Sequence, residues 1–248
     1  MRLIENYNTD AITKDFILTN EWDVIKLNKK IDVKKLREWY FSVSKNLEHL
    51  KFNFRTCTKY IKESVNNKFT TDTNNYQWIL KNEYMLLQNS YSLTWFNKQD
   101  VPLPPAWAAN LDYFPELRIY YNDAGDLIKD FNYLNNIYLN QYMFGEWENI
   151  TKWLTPYIFN PRITEHLTGH VIPLHTDGYM ARLHIPMTID NSKFYWGENY
   201  DREYKFEPGS IYLINTKIIH GTTNFGPTTR ANIIADIHED KIFDILKL

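Results

Sequence analysis

From Arg162 onward the chain breaks into short apolar or β-branched runs separated by turn residues, and this pattern constrains the fold more than any other feature. The runs span 163–167, 170–174, 180–189, 193–196, 203–206, 210–215 and 230–238. Gly169, Gly178, Gly197, Pro208-Gly209 and Gly226-Pro227 separate most of them. Several short strands with turn signals between them predict a sandwich or barrel. A double-sheet jelly roll is the expected form, because it removes exposed edges and leaves a mouth where a metal can sit.

The N-terminal half reads differently. Residues 21–27 predict a short strand, and Asp32 is placed to cap a helix. Val33, Leu36, Trp39, Tyr40, Val43 and Leu47 recur at spacings of three and four, giving that helix one apolar face. Residues 51–75 are polar and predict loop with some helix, 77–87 a second helix and 92–96 a strand. Val101-Pro-Leu-Pro-Pro105 marks a turn, since proline suits neither a helix interior nor a central strand. Trp107, Tyr113, Phe114, Tyr120 and Tyr121 follow it as core candidates, with Arg118 a candidate substrate contact. After a turn at Gly125, the apolar pattern over 127–157 predicts helical packing interrupted near Gly145. The expected organisation is one catalytic domain over 1–248. Residues 1–158 form a mixed α/β part that shapes the pocket, and 159–240 form the jelly-roll core.

Within the strand-rich half, Leu174-His175-Thr176-Asp177-Gly178 carries the chemistry. In an extended chain His175 and Asp177 leave the same face, which sets an imidazole beside a carboxylate. The apolar run that starts at Ser210 ends on a third donor, His220. Two histidines and one carboxylate on one face, with the opposite positions open, suit non-haem Fe(II) used for oxygen chemistry. Ten positions after His220 stands Arg230, a permanently charged planar fork suited to a carboxylate.

The order His-X-Asp, a long gap, His and then Arg resembles the Fe(II)/2-oxoglutarate dioxygenases. More narrowly, Arg182-Leu-His184-Ile-Pro186, Glu207-Pro-Gly209 and the stretch from Asn215 to His220 resemble the aspartyl/asparaginyl β-hydroxylase-like group, which is similar to some proline hydroxylases. The resemblance covers about a third of the chain and implies a double-stranded β-helix core with flanking helices. It implies a metal triad of His175, Asp177 and His220, with Arg230 and Thr164 on the far carboxylate of 2-oxoglutarate and His184 at its other end. It assigns Arg182 to a substrate carboxylate.

The implied co-substrates are 2-oxoglutarate and O2, the implied metal Fe(II), and the products succinate, CO2 and a hydroxylated amino acid, free or within a peptide. Many members carry glycine where this chain has Asp177; an intact carboxylate favours hydroxylation over halogenation. A metal oxygenase of the cupin type that does not use 2-oxoglutarate, and a non-catalytic jelly-roll binding module, remain alternatives. Five of the seven histidines lie between 166 and 220, and His166 and His170 fall outside the ligand pattern; packing or orienting roles are expected for them.

Composition narrows the partners. A net charge of −2 gives no general grip on nucleic acid. The single cysteine, Cys57, excludes an intramolecular disulfide framework and fits a reducing cytosol. The first ten residues lack the apolar core of a signal peptide and no run reaches membrane-spanning length, so a cytoplasmic protein is expected.

Overall fold

The computed structural model describes residues 3–9, 12–19, 22–44, 51–53, 88–95, 137–138, 142–177, 181–188 and 192–248. The strands of the C-terminal half are β7 (Ile158–His166), β8 (His170–His175), β9 (Ala181–Thr188), β10 (Ser192–Trp196), β11 (Arg202–Tyr204), β12 (Ser210–Asn215), β13 (His220–Asn224) and β14 (Arg230–Ile237). Except for β10 and β11, which both join the smaller sheet, successive strands alternate between two sheets. β12, β9, β14 and β7 are neighbours in the larger one, and β11, β10, β13 and β8 make up the smaller. This is a double-stranded β-helix, and the fold is mainly β with flanking helices.

The N-terminal half lengthens the larger sheet at both edges. β1 (Leu3–Ile4) and β2 (Val24–Lys30) continue it beyond β12, while β3 (Lys51–Asn53) and β4 (Gln88–Ser92) continue it beyond β7. The expected strand over 92–96 is split: Ser92 closes β4, and β5 (Thr94–Trp95) pairs with β6 (Ile137–Tyr138). Ile137 and Tyr138 therefore lie in a strand, not in the expected helical stretch. The expected helix over 77–87, the proline-rich turn, the aromatics from Trp107 to Tyr121, Arg118, Gly125 and Gly178 lie outside the described residues.

Helices cover the outer face of the larger sheet. α1 (Lys14–Leu18) is short; α2 (Val33–Ser44) begins where Asp32 Oδ1 accepts from the backbone N–H groups of Lys34 and Lys35, the expected cap. Its Leu36, Trp39, Tyr40 and Val43 are buried. Trp39 packs 5.6 Å from Trp147 of α3 (Gly145–Leu154), whose first residue is the glycine expected to interrupt the helical pattern. α4 (Ile242–Ile245) completes the layer. These helices bury Leu183, Ile185, Ala231, Ile233 and Ala235, alternate residues of β9 and β14. Each large aliphatic side chain so buried contributes about 1.5–3 kcal/mol. No helix among the described residues is long and apolar enough to cross a membrane.

The turn before β12 ties the layers together. Gly209 has φ +81°, and a Cβ there would lie 2.9 Å from both Ile31 O and Val33 Cβ. Its carbonyl accepts from the Ile31 N–H at 2.9 Å. Only glycine meets both demands.

The inner face of the larger sheet is polar. Arg162, Thr164 and His166 on β7, Arg230, Asn232 and Asp236 on β14, and Arg182 and His184 on β9 alternate with the apolar positions above. A smaller apolar cluster of Phe194, Trp196, Phe206, Tyr212, Ile214 and Val24 fills one side of the space between the sheets. Phe194 and Phe206 stack at 4.0 Å, and Phe206 and Tyr212 at 4.2 Å. The remainder is a polar chamber bounded by both sheets.

Candidate metal centre and the chamber behind it

His175 ends β8 and His220 opens β13, and the two are direct cross-strand partners. The expectation that His220 closes the run from Ser210 is corrected here. That run is β12 of the larger sheet, and His220 begins a separate strand of the smaller one after a turn. Asp177 lies just beyond β8, where its backbone N–H donates to Thr216 O at 2.8 Å. The structure thus brings together the three expected ligands, with donor atoms all within 4.8 Å of one another. His175 Nε2 is 3.6 Å from Asp177 Oδ1, and His220 Nε2 is 3.8 Å from Asp177 Oδ2.

The His220 tautomer follows from its partner. Nδ1 lies 2.9 Å from Ile218 O, a pure acceptor, so Nδ1 carries the proton and Nε2 presents its lone pair toward Asp177. Burial and the neighbouring His175 lower the His220 pKa to about 4, against the opposing pull of Asp177. A neutral imidazole is the form that ligates a metal.

Arg182 sits beside this cluster. Its Nη1 is 2.7 Å from Asp177 Oδ2, and its Nε donates to Asp236 Oδ1 at 2.8 Å. Asp236 Oδ2 in turn accepts from Arg162 Nη1 at 3.2 Å. Burial opposes ionisation of Asp236, but the two guanidinium groups outweigh it and hold its pKa below the usual carboxylate value.

Farther along the chamber lies Arg230, only 1% exposed. Nη1 donates to Ser192 Oγ at 2.9 Å and to Thr222 Oγ1, and Nη2 donates to His166 Nδ1 at 2.5 Å. Ser192 and Thr222 give their own hydroxyl protons to Thr223 O and Lys193 O, so each is fixed as an acceptor for Arg230. The Phe194 ring lies 4.6 Å from the guanidinium carbon. No carboxylate among the described residues pairs with it, and burial lowers its pKa to about 9. A guanidinium has five N–H donors and three are engaged; the two left are Nε–H and one Nη2–H.

Around Arg230 several buried polar atoms have no partner among the described residues: Thr164 Oγ1, His166 Nε2, both nitrogens of His170, His184 Nδ1 and both side-chain atoms of Asn232. Thr164 and Asn232 are cross-strand partners on β7 and β14. His166 and His170 come from opposite sheets, with ring centroids 4.1 Å apart. His184 packs edge-on against Phe194 at 5.5 Å. Because Arg230 can only donate, His166 must accept at Nδ1 and carry its proton on Nε2. Burial above all, and Arg230 next, lower the pKa of His166 well below its usual value and that of His170 to about 3. Buried polar atoms without partners are uncommon in native proteins, and a cluster of them marks a place that a polar ligand or water satisfies.

Sequence reasoning expected packing or orienting roles for His166 and His170 without naming a partner, and it left Asn232 and Asp236 without roles. The signal was present in β14, where Arg230, Asn232 and Asp236 share one face at period two, but it could not be read without knowing which face is internal.

No family model matches the chain, and no curated protein matches it in sequence. Among solved structures it is similar to an oxidoreductase of the 2OG-Fe(II) oxygenase family from Burkholderia pseudomallei, at 13% identity and a TM-score of 0.34, over 61% of this chain and 68% of that one. It is also similar to a cupin domain from Bordetella pertussis, at 15% identity and a TM-score of 0.29, over 33% of this chain and 82% of that one. The ribosomal oxygenase YcfD of Escherichia coli aligns at 18% identity and a TM-score of 0.29, over 37% of this chain but 28% of its own length. Likenesses this partial decide nothing about function.

Proposed function

We propose that this chain is an Fe(II)- and 2-oxoglutarate-dependent oxygenase that hydroxylates an unactivated C–H bond of an amino acid, free or within a peptide. The observation that carries the reading is the buried Arg230, fixed by three neutral acceptors with two donors left over. A buried guanidinium without a carboxylate is costly, and an anionic ligand removes that cost. Thr222, which touches Arg230, is two residues from His220 on β13, roughly 7 Å along the strand. A five-carbon dicarboxylate suits that span.

The donor set fits the metal. Two imidazoles and one carboxylate on one side are the facial arrangement favoured by non-haem Fe(II). Among the described residues three guanidinium groups (Arg162, Arg182 and Arg230) face two carboxylates (Asp177 and Asp236) across the chamber. A divalent metal adds to that excess, which a dianionic co-substrate offsets.

In this reading His175, Asp177 and His220 hold the metal. Arg230 and Thr164 hold the far carboxylate of 2-oxoglutarate, and His184 stands nearer its keto acid end. His166 holds Arg230 in place. With these bound, the centre supplies oxygen activation, in which substrate C–H, 2-oxoglutarate and O2 become substrate C–OH, succinate and CO2. The chain itself orients the co-substrate and excludes water through the Phe194, Phe206 and Tyr212 wall; the hard chemistry belongs to the metal and co-substrate.

The test is succinate release from 2-oxoglutarate under air with Fe(II) and a panel of amino acids and peptides. The expected outcome is succinate formation that requires Fe(II), is coupled to one substrate and is lost in Asp177→Ala. Oxygen uptake without 2-oxoglutarate consumption would point instead to a cupin-type oxygenase. Small-ligand binding that ignores iron would point to a binding module.

A further inference from the structure

Asp177 differs from the two histidine ligands in one respect: it lies on the connection after β8, whereas they lie in paired strands. Among the described residues its backbone N–H is held by the bond to Thr216 O. A carboxylate there has two oxygens and a rotatable side chain, so something must decide which oxygen faces the metal. Arg182 is placed to do so. It belongs to β9, between β12 and β14, and its direct cross-strand partner on β14 is Asp236.

We propose that Arg182 is a positioning residue for the metal centre, gripping Asp177 Oδ2 through Nη1 so that Oδ1 is the oxygen presented to the metal. This rests on the proposed metal centre and deepens it. Asp236 completes the device, since it fixes Arg182 through Nε and is itself fixed by Arg162. The four side chains form a row, Asp177–Arg182–Asp236–Arg162, that ties the loop-borne Asp177 to β9, β14 and β7 of the larger sheet. Asp236 is 3% exposed, which excludes water from the anchor. The resemblance would give Arg182 to a substrate carboxylate, but here Nε and Nη1 already meet carboxylates. An anionic substrate would have to displace a metal ligand or a buried anchor. Groups that orient metal ligands in this way typically change metal affinity by about 10–100-fold when removed.

The experiment is a Co(II) titration of the full chain, followed by ligand-field absorption, in the wild type and in Arg182→Gln, Arg182→Lys, Asp236→Asn and His175→Ala, each checked for folding by circular dichroism. Arg182→Gln should bind Co(II) about 10–100-fold more weakly and with shifted ligand-field bands, because both Asp177 oxygens become available to the metal. Arg182→Lys keeps the charge but not the fork and should fall between; it carries the test if the glutamine variant does not fold. Asp236→Asn should move affinity and bands in the same direction. The double variant Arg182→Gln/Asp236→Asn should bind no more weakly than Arg182→Gln, since Asp236 acts through Arg182. Wild-type affinity and spectrum in Arg182→Gln would overturn the proposal, and an accompanying rise in substrate KM would return Arg182 to the substrate. Co(II) binding indifferent to His175→Ala is a separate result that removes the metal centre itself.

Discussion

At the end of the chamber nearest His175 and His220, Asp177, Arg182, Asp236 and Arg162 alternate in sign and form ion pairs with one another, whereas at the far end Arg230 is surrounded by His166, Ser192 and Thr222, none of which balances its charge. The near end is partly exposed at Asp177 and Arg182 and the far end is fully buried, and both are built on β14 and its neighbours. The difference lies in completeness: the first is a closed set of ion pairs, and the second lacks an anion. A closed set serves stability and geometry. An open one implies that its partner comes and goes.

The largest expected effect comes from breaking the closed end. Asp236→Leu leaves the buried Arg162 and the partly exposed Arg182 without their shared carboxylate and should destabilise the protein by about 3 kcal/mol in urea unfolding. Arg230→Met should behave otherwise. Relief of an unbalanced buried charge offsets the three lost hydrogen bonds, so metal-free stability should change by no more than about 1 kcal/mol. What that variant should lose is the ligand: wild-type protein with metal gains about 2.7 kcal/mol when 2-oxoglutarate is present at a hundred times its Kd, and Arg230→Met should gain none. Equal destabilisation by the two substitutions would erase the distinction between the ends.

Acid should also separate them, more gently. His166, His170 and His184 have folded pKa values lowered first of all by burial, so between the folded value and 6.5 the unfolded chain binds more protons. Stability is therefore full above pH 6.5 and falls as pH drops below it, by at most about 1.4 kcal/mol per pH unit for each histidine. The Asp236 pKa is also lowered, and its contribution persists until pH falls below the ordinary carboxylate range. Urea unfolding of metal-free protein at pH 7.0 and 5.5 would show this, and His170→Leu should flatten the slope by one histidine's share. A pH-independent midpoint would mean that these imidazoles are not held neutral.

Much of the architecture was legible in the chain because strands with one apolar face announce themselves. β9, β10, β12 and β14 fall within two residues of their expected bounds at each end. β13 was missed for the complementary reason. His220-Gly-Thr-Thr-Asn224 is buried along its whole length yet carries no aliphatic side chain, since it faces the polar chamber. The first residues of β7 were missed as well, where Ile158–Arg162 crosses Pro161. The grouping of His175, Asp177 and His220 was legible as a motif, but the row from Asp177 to Arg162 was not. It depends on the register that sets Asp236 of β14 against Arg182 of β9, and nothing local in either strand encodes that register. The partner of His166 was hidden for the same reason: Arg230 is distant in sequence and adjacent only across the β7–β14 ladder.

The most direct test of the account is an anaerobic titration of the full chain with Fe(II) and then 2-oxoglutarate, followed by visible absorption, with His175→Ala and Arg230→Met alongside. The account predicts a metal-to-ligand charge-transfer band that needs both additions, is absent in His175→Ala, and in Arg230→Met appears only at far higher 2-oxoglutarate concentration. Bound iron without such a band at any 2-oxoglutarate concentration would contradict it.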